Sequence, residues 1–245
     1  MVRRPRPQIV AFGGGGFSME PGNPLLDDYV LSLVDSPRPK VCFLPTASGD
    51  ADHYVVRFYR TFCESECEAS HVSLFRREAG VADVERHLLT RDVIYVGGGS
   101  VLSLLGAWRA HGLDSVVRRA WEAGVILCGG SAGSLCWFSS GVTAFHGTPQ
   151  PYEGLGFLPW SNCVHYDAEP ERDGAYRRLL LGGMCAGYAA EDGSALHFVG
   201  SRLARVVASR AGARAYRMRA VAGRVERRAL AADFLGAAPP VAAVA

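Results

Sequence analysis

Short runs of consecutive apolar residues alternate along this chain with longer stretches in which apolar positions recur every three or four residues. The runs fall at residues 8–12, 40–44, 69–74, 92–96 and 125–128. Most are rich in Val, Ile, Leu or Phe and end in Gly, Pro or Ser, the pattern of a strand buried on both faces. Helical periodicity covers 25–34, 50–62, 81–89, 102–110 and 113–123, with Gly112 and Gly124 as breaks. Strands alternating with helices at this spacing predict an α/β fold, a three-layer sandwich around a mostly parallel sheet. Residues 139–160 hold four glycines and three prolines without a clear period, and read as a long loop beside the site. A strand-like stretch at 162–167, a helix to about residue 181 and short strands at 187–190 and 196–199 follow. Three further strands, 203–209, 214–221 and 224–230, form a C-terminal β-meander. No internal repeat is visible, and the chain reads as one domain over 1–245, with 1–7 and 236–245 expected to be flexible.

The segment from Val125 to Phe138, VILCGGSAGSLCWF, stands out. Four apolar residues form the strand, Gly129-Gly-Ser-Ala-Gly133 makes a sharp turn, and residues 134–138 open a helix. A G-x-S-x-G pattern between strand and helix is a nucleophile elbow, which lifts the Ser131 hydroxyl above the sheet edge. The amide of Ala132, at the helix start, is left free for an oxyanion. In a parallel sheet the ligand edge lies at the carboxyl ends of the strands. Thr46, the Gly97-Gly-Gly99 loop and Ser131 are therefore expected there, with the triple glycine supplying a second oxyanion donor.

Composition narrows the field. The 245 residues are 49% hydrophobic and 20% charged, with a net charge of +2, so no strong field invites nucleic acid or a membrane surface. Nine arginines between residues 202 and 228 alternate with apolar positions and read as a solvated strand face. The seven cysteines complete no zinc pattern and suit a reducing, cytoplasmic setting. No apolar run reaches the ~18 residues of a membrane span. The glycine run 13–16 matches neither phosphate-loop pattern, so no nucleotide, other cofactor or metal is expected.

A serine nucleophile needs a base. His53, His71, His87 and His111 fall far from the expected edge, His197 is ambiguous, and His146 lies in the loop. His165 follows the serine where the next unit returns to the same edge, and is the favoured base. Together GGSAGSLCWF (129–138), YVGGG (95–99), PTASGD (45–50) and HYD (165–167) resemble the peptidase E and cyanophycinase family of serine peptidases, over about residues 8–220. The resemblance implies a class I glutamine-amidotransferase-like fold, Ser131 as nucleophile, His165 as base, and an oxyanion hole of Ala132 with Gly98 or Gly99. It further implies hydrolysis of aspartyl dipeptides or of a β-aspartyl isopeptide, through an acyl-enzyme.

Ser139 and Ala144 stand where similar proteins carry an acid, and Ser100 stands where they carry Asn. Glu153 and Asp167 are the expected substitutes for the acid, whereas Thr46, Ser100, Glu191 and Asp192 are expected to line the substrate pocket. The alternative is a catalytically impaired ligand-binding relative lacking the acid. A thiol-based amidase is a third reading, which would need Cys128 in place of Ser131. The partner expected is a small peptide, with no nucleic acid or membrane, and a monomer or homodimer.

Overall fold

The structure, a computed structural model, describes residues 6–64, 67–75 and 83–236. Most of both termini expected to be flexible, and the first two residues of the helix expected from 81, lie outside these. The apolar runs become the parallel strands β1 (Gln8–Phe12), β2 (Lys40–Leu44), β3 (Glu68–His71), β4 (Val93–Val96) and β5 (Ile126–Gly130). The helices are α1 (Leu25–Leu31), α2 (Asp52–Glu64), α3 (Val84–Leu89), α4 (Val101–His111), α5 (Leu113–Ala123), α6 (Ala132–Leu135) and α7 (Pro170–Leu181). Further strands are β6 (Phe138–Thr143), β7 (Gln150–Glu153), β8 (Leu158–Cys163), β9 (Gly187–Ala190) and β10 (Ser194–Val199). The last are β11 (Arg202–Ala208), β12 (Ala215–Val221), β13 (Arg224–Leu230) and β14 (Asp233–Phe234).

Among the described residues the larger sheet runs β14-β11-β10-β1-β5-β4-β2-β3. Five of its seven strand pairs are parallel. Alternation sorts its side chains onto two faces. Val10, Phe12, Phe43, Tyr95 and Cys128 pack with α1, α2 and Phe17 on one side. Ile9, Ala11, Leu44, Val96 and Leu127 pack with α4 and α5 on the other, in a cluster that continues through Phe138, Leu158 and Tyr188. Those three belong to a second sheet, β13-β12-β9-β8-β6-β7, whose far side is covered by α7 through Ala175, Tyr176 and Leu180.

Three expectations change. Residues 139–160 are not a loop but hold β6, β7 and the start of β8. The glycines that disguise these strands are close-approach positions: a Cβ on Gly141 would collide with the Asn162 carbonyl, and one on Gly154 with that of Phe138. Pro151 is tolerated because β7 is the sheet edge. The helix expected over 134–138 is only one turn, because Leu155 N–H binds the Cys136 carbonyl and Leu158 N–H that of Trp137, drawing the chain into β6. The C-terminal meander is divided, with β11 in the large sheet and β12 and β13 in the small one. Because β10 runs antiparallel beside β1, the turn that precedes it lies on the edge where the parallel strands end.

Candidate active site

Ser131 sits between β5 and α6 with φ 55° and ψ −119°, a conformation that costs a non-glycine residue of order 1–3 kcal/mol. The surrounding packing explains how it is held. A Cβ on either Gly129 or Gly133 would collide with the carbonyl oxygen of Val96, so the neighbouring strand leaves room only for glycine. Ser131 is partly exposed, and the amide of Ala132 begins α6, where helical N–H groups have no acceptor in the helix. Among the described residues Ser131 makes no side-chain hydrogen bond.

His165 is likewise held at positive φ, at 52°. Its N–H binds the carbonyl of Gly13 at 3.1 Å, while Tyr166 N–H binds that of Ala190. The ring is largely buried, and its Nδ1 lies 2.6 Å from Oδ1 of Asp192. An Nδ1–H donated to that carboxylate leaves Nε2 unprotonated and available as an acceptor. Asp192 is itself fixed from several sides. Its N–H donates to Asp167 Oδ1 at 2.8 Å, and Gly193 N–H donates to the Gly14 carbonyl at 2.9 Å. Glu191 accepts from Arg214 N–H and from the Tyr216 hydroxyl.

The carboxylate at the histidine is therefore Asp192, not Glu153 or Asp167. Glu153 lies exposed on β7, and Asp167 acts one step back, on the Asp192 backbone. The glycine run 13–16 does have a structural use that its pattern did not reveal. Gly13 and Gly14 supply carbonyls to the two segments bearing His165 and Asp192, and a Cβ on Gly14 would collide with the Asp192 carboxylate. A run of glycines after the first strand was the visible signal, but it matched no known loop spacing.

The expected pocket residues fare differently. Thr46 is fully buried and accepts from Trp108 Nε1 at 3.1 Å, so its hydroxyl is committed to the core. Ser100 is buried as the cap of α4, accepting from Ser103 N–H. Glu191 braces the turn rather than facing a ligand. Gly99, at φ 136°, admits no side chain because a Cβ would collide with the Ala47 carbonyl. Gly98 is the member of the triple glycine facing Ser131: a Cβ there would lie 3.3 Å from Ser131 Cβ and 3.4 Å from the Tyr54 hydroxyl. Its N–H donates to that hydroxyl at 3.2 Å. Cys128 and Cys136 are wholly buried, and burial raises both thiols well above their ordinary range, which disfavours the thiol reading. Among the described residues no group of acids, histidines and cysteines could hold a metal ion. None of their helices is long and apolar enough to cross a membrane.

Comparison with known proteins follows the same outline. The model of peptidase family S51 matches residues 9–206. The uncharacterised peptidase YgaJ of Bacillus subtilis (strain 168) is 46% identical over 230 residues, which cover 94% of this chain and 99% of that one. Two crystal structures share the fold. A peptidase from an acI-B1 Actinobacterium superposes with TM-score 0.68 at 18% identity, over 94% of this chain and 96% of that one. A candidate peptidase E protein from Listeria monocytogenes EGD-e does so with TM-score 0.60 at 16% identity, over 83% and 98%. A match running from β1 into β11, taking in the elbow, the histidine and the acid-bearing turn, means that the chain belongs to peptidase family S51 and is a peptidase.

Proposed function

We propose that this peptidase is a serine hydrolase of short peptides, with Ser131 as nucleophile, His165 as general base and Asp192 as the acid that orients it. The observation that carries the reading is the 2.6 Å pair between His165 Nδ1 and Asp192, tied to the end of β1, together with a serine on a strained elbow at the end of the adjacent β5. As substrate enters, Nε2 takes the Ser131 hydroxyl proton and Oγ attacks the scissile carbonyl. The negative charge collects on the former carbonyl oxygen, beside the Ala132 amide. Collapse breaks the C–N bond, and His165 gives its proton to the leaving amine. Water then repeats the sequence on the acyl-enzyme, releasing the acid and restoring Ser131. In this reading Nε2 comes within hydrogen-bond reach of the Ser131 hydroxyl in the substrate complex.

The likeness to peptidase E favours aspartyl dipeptides, or a β-aspartyl isopeptide bond, as substrate. The buried thiols of Cys42, Cys128, Cys136 and Cys163 agree with a cytoplasmic enzyme. The rival idea of a silent relative rested on an empty acid position, and Asp192 beside His165 weighs against it. The experiment is labelling with a fluorophosphonate together with hydrolysis of a set of aspartyl and β-aspartyl dipeptides. Wild type should label on Ser131 and cleave at least one of them, and Ser131→Ala should do neither. Turnover that survives Ser131→Ala would overturn the assignment.

A further inference from the structure

The donor expected to share the oxyanion with Ala132 was a glycine of the 97–99 loop, and Gly98 is the one that faces Ser131. Its N–H is engaged, however, by Tyr54 Oη at 3.2 Å. An amide hydrogen directed at one acceptor has little left for another. The tyrosine uses only a lone pair in that bond, and its own hydroxyl hydrogen has no acceptor among the described residues. Gly98 leaves a space that a Cβ would occupy, in contact with Ser131 Cβ at 3.3 Å and with Tyr54 Oη at 3.4 Å. The serine and the hydroxyl thus both lie within 3.4 Å of the same point.

An oxyanion formed on Ser131 would lie close to that point. A carbonyl carbon bonded to Ser131 Oγ carries its oxyanion about 3 Å from Ser131 Cβ, within the reach of an oxyanion-hole donor. The ring of Tyr54 is held for the task. It packs against Phe43 and Phe17, with centroids at 5.4 and 5.7 Å, near the start of α2. The Gly98 N–H behind the hydroxyl would polarise it, since hydrogen bonds in series strengthen one another.

We propose that Tyr54 is a catalytic residue of this peptidase, donating its hydroxyl to the oxyanion opposite Ala132, with Gly98 acting through it. The proposal rests on Ser131 being the nucleophile. In the tetrahedral step no proton is transferred from Tyr54: the O–H points to the oxyanion while charge develops and is released when the C–N bond breaks.

The variant is Tyr54→Phe, which keeps the ring and removes the donor. Its kcat should fall roughly 10²–10³-fold, the usual effect of deleting one oxyanion donor, with KM changed little. A peptide aldehyde that forms a hemiacetal with Ser131 should lose affinity by a similar factor, and a non-cleavable substrate analogue should not. The rate of fluorophosphonate labelling should fall as well, and this readout needs no substrate. A merely structural tyrosine would alter melting and KM instead of this split. The idea is overturned if Tyr54→Phe keeps wild-type kcat and aldehyde affinity, since another amide then fills the hole. It is equally overturned if activity rises, since the tyrosine would then be a plug on Gly98. Wild-type turnover that survives Ser131→Ala sinks the serine reading, and this proposal with it. A wild type that neither turns over nor labels has the same consequence.

Discussion

Ser131 and His165 both stand at positive φ, and neither is glycine. Such conformations persist only where the surroundings overdetermine them, and here the backbone bonds to Gly13, the Val96 carbonyl and the Asp192 turn do so. In the proposed mechanism the acid is the decisive residue at this scale. Asp192→Asn keeps the shape of the side chain but presents an amide that can stabilise the wrong imidazole tautomer. A loss of about 10⁴ in kcat is expected with KM little altered, the scale seen for the equivalent change in a serine protease triad. Ala144→Asp and Ser139→Glu test the opposite idea, that an acid is missing. Ser139 Oγ donates to the Trp160 carbonyl in a groove with Cys185, so neither change should raise kcat/KM. A gain of tenfold or more in either variant, measured on the same substrate, would mean that Asp192 does not fill the role.

The elements explain why the residues meet. The end of β1 lies between the end of β5, which bears Ser131, and the turn before β10, which bears Asp192. His165 arrives from the other sheet, at the end of β8, and is tied to Gly13 across the gap. The elbow itself depends on β4 crowding β5 through the Val96 carbonyl. Gly133→Ala should therefore force the turn apart, destabilising the fold by about 1–3 kcal/mol, the cost of overpacking a filled site. Fluorophosphonate labelling should fall even in the fraction that stays folded. A denaturation midpoint and labelling rate equal to wild type would show that the elbow tolerates a methyl group. By contrast, nothing lies within 4 Å of a Cβ on Gly106, in α4, so Gly106→Ala is the matched control.

Across the whole molecule the two sheets share one apolar cluster, so the histidine and the serine are carried by a common core. The arginines of the C-terminal strands are largely accounted for within the fold. Arg217 lies over Trp160 and Tyr188, Arg227 over Tyr216, Arg219 pairs with Glu226 and Arg205 with Asp233. Two buried groups link stability to pH with opposite signs. His197 bridges Tyr29 and Gln8, and burial lowers its pKa from 6.5 to about 4, so the unfolded chain binds more protons in that range. Its contribution is lost as pH falls from 6.5 towards 4. Asp27 is lifted by burial from 3.8 to about 7, so the folded chain binds the extra proton and stability falls as pH rises between those values. Thermal melts at pH 4.5 and 7.5 should separate the two. Relative to wild type, His197→Gln should shift the balance in favour of pH 4.5, and Asp27→Asn in favour of pH 7.5. Identical pH dependence in all three proteins would count against both assignments.

The apolar runs and their glycine stops determined the parallel strands, the elbow and the order of its neighbours, because strand burial and tight turns are local demands on composition. Ser131 and His165 were legible as candidates for the same reason, the first from its spacing and the second from its place after a strand-like run. The strands within residues 138–163 were not. Their glycines and prolines answer to close backbone approach and to an edge position, which depend on what lies alongside. Asp192 was visible only as a turn residue, and Glu153 and Asp167 were preferred because they stood nearer in the chain. Likewise nothing around Tyr54 in sequence pointed to Gly98. Only the tertiary structure brought these together, because the antiparallel seating of β10 beside β1 carries an acid 27 residues downstream to the histidine. Pairing of that kind is set by the sheet as a whole, and no local pattern records it.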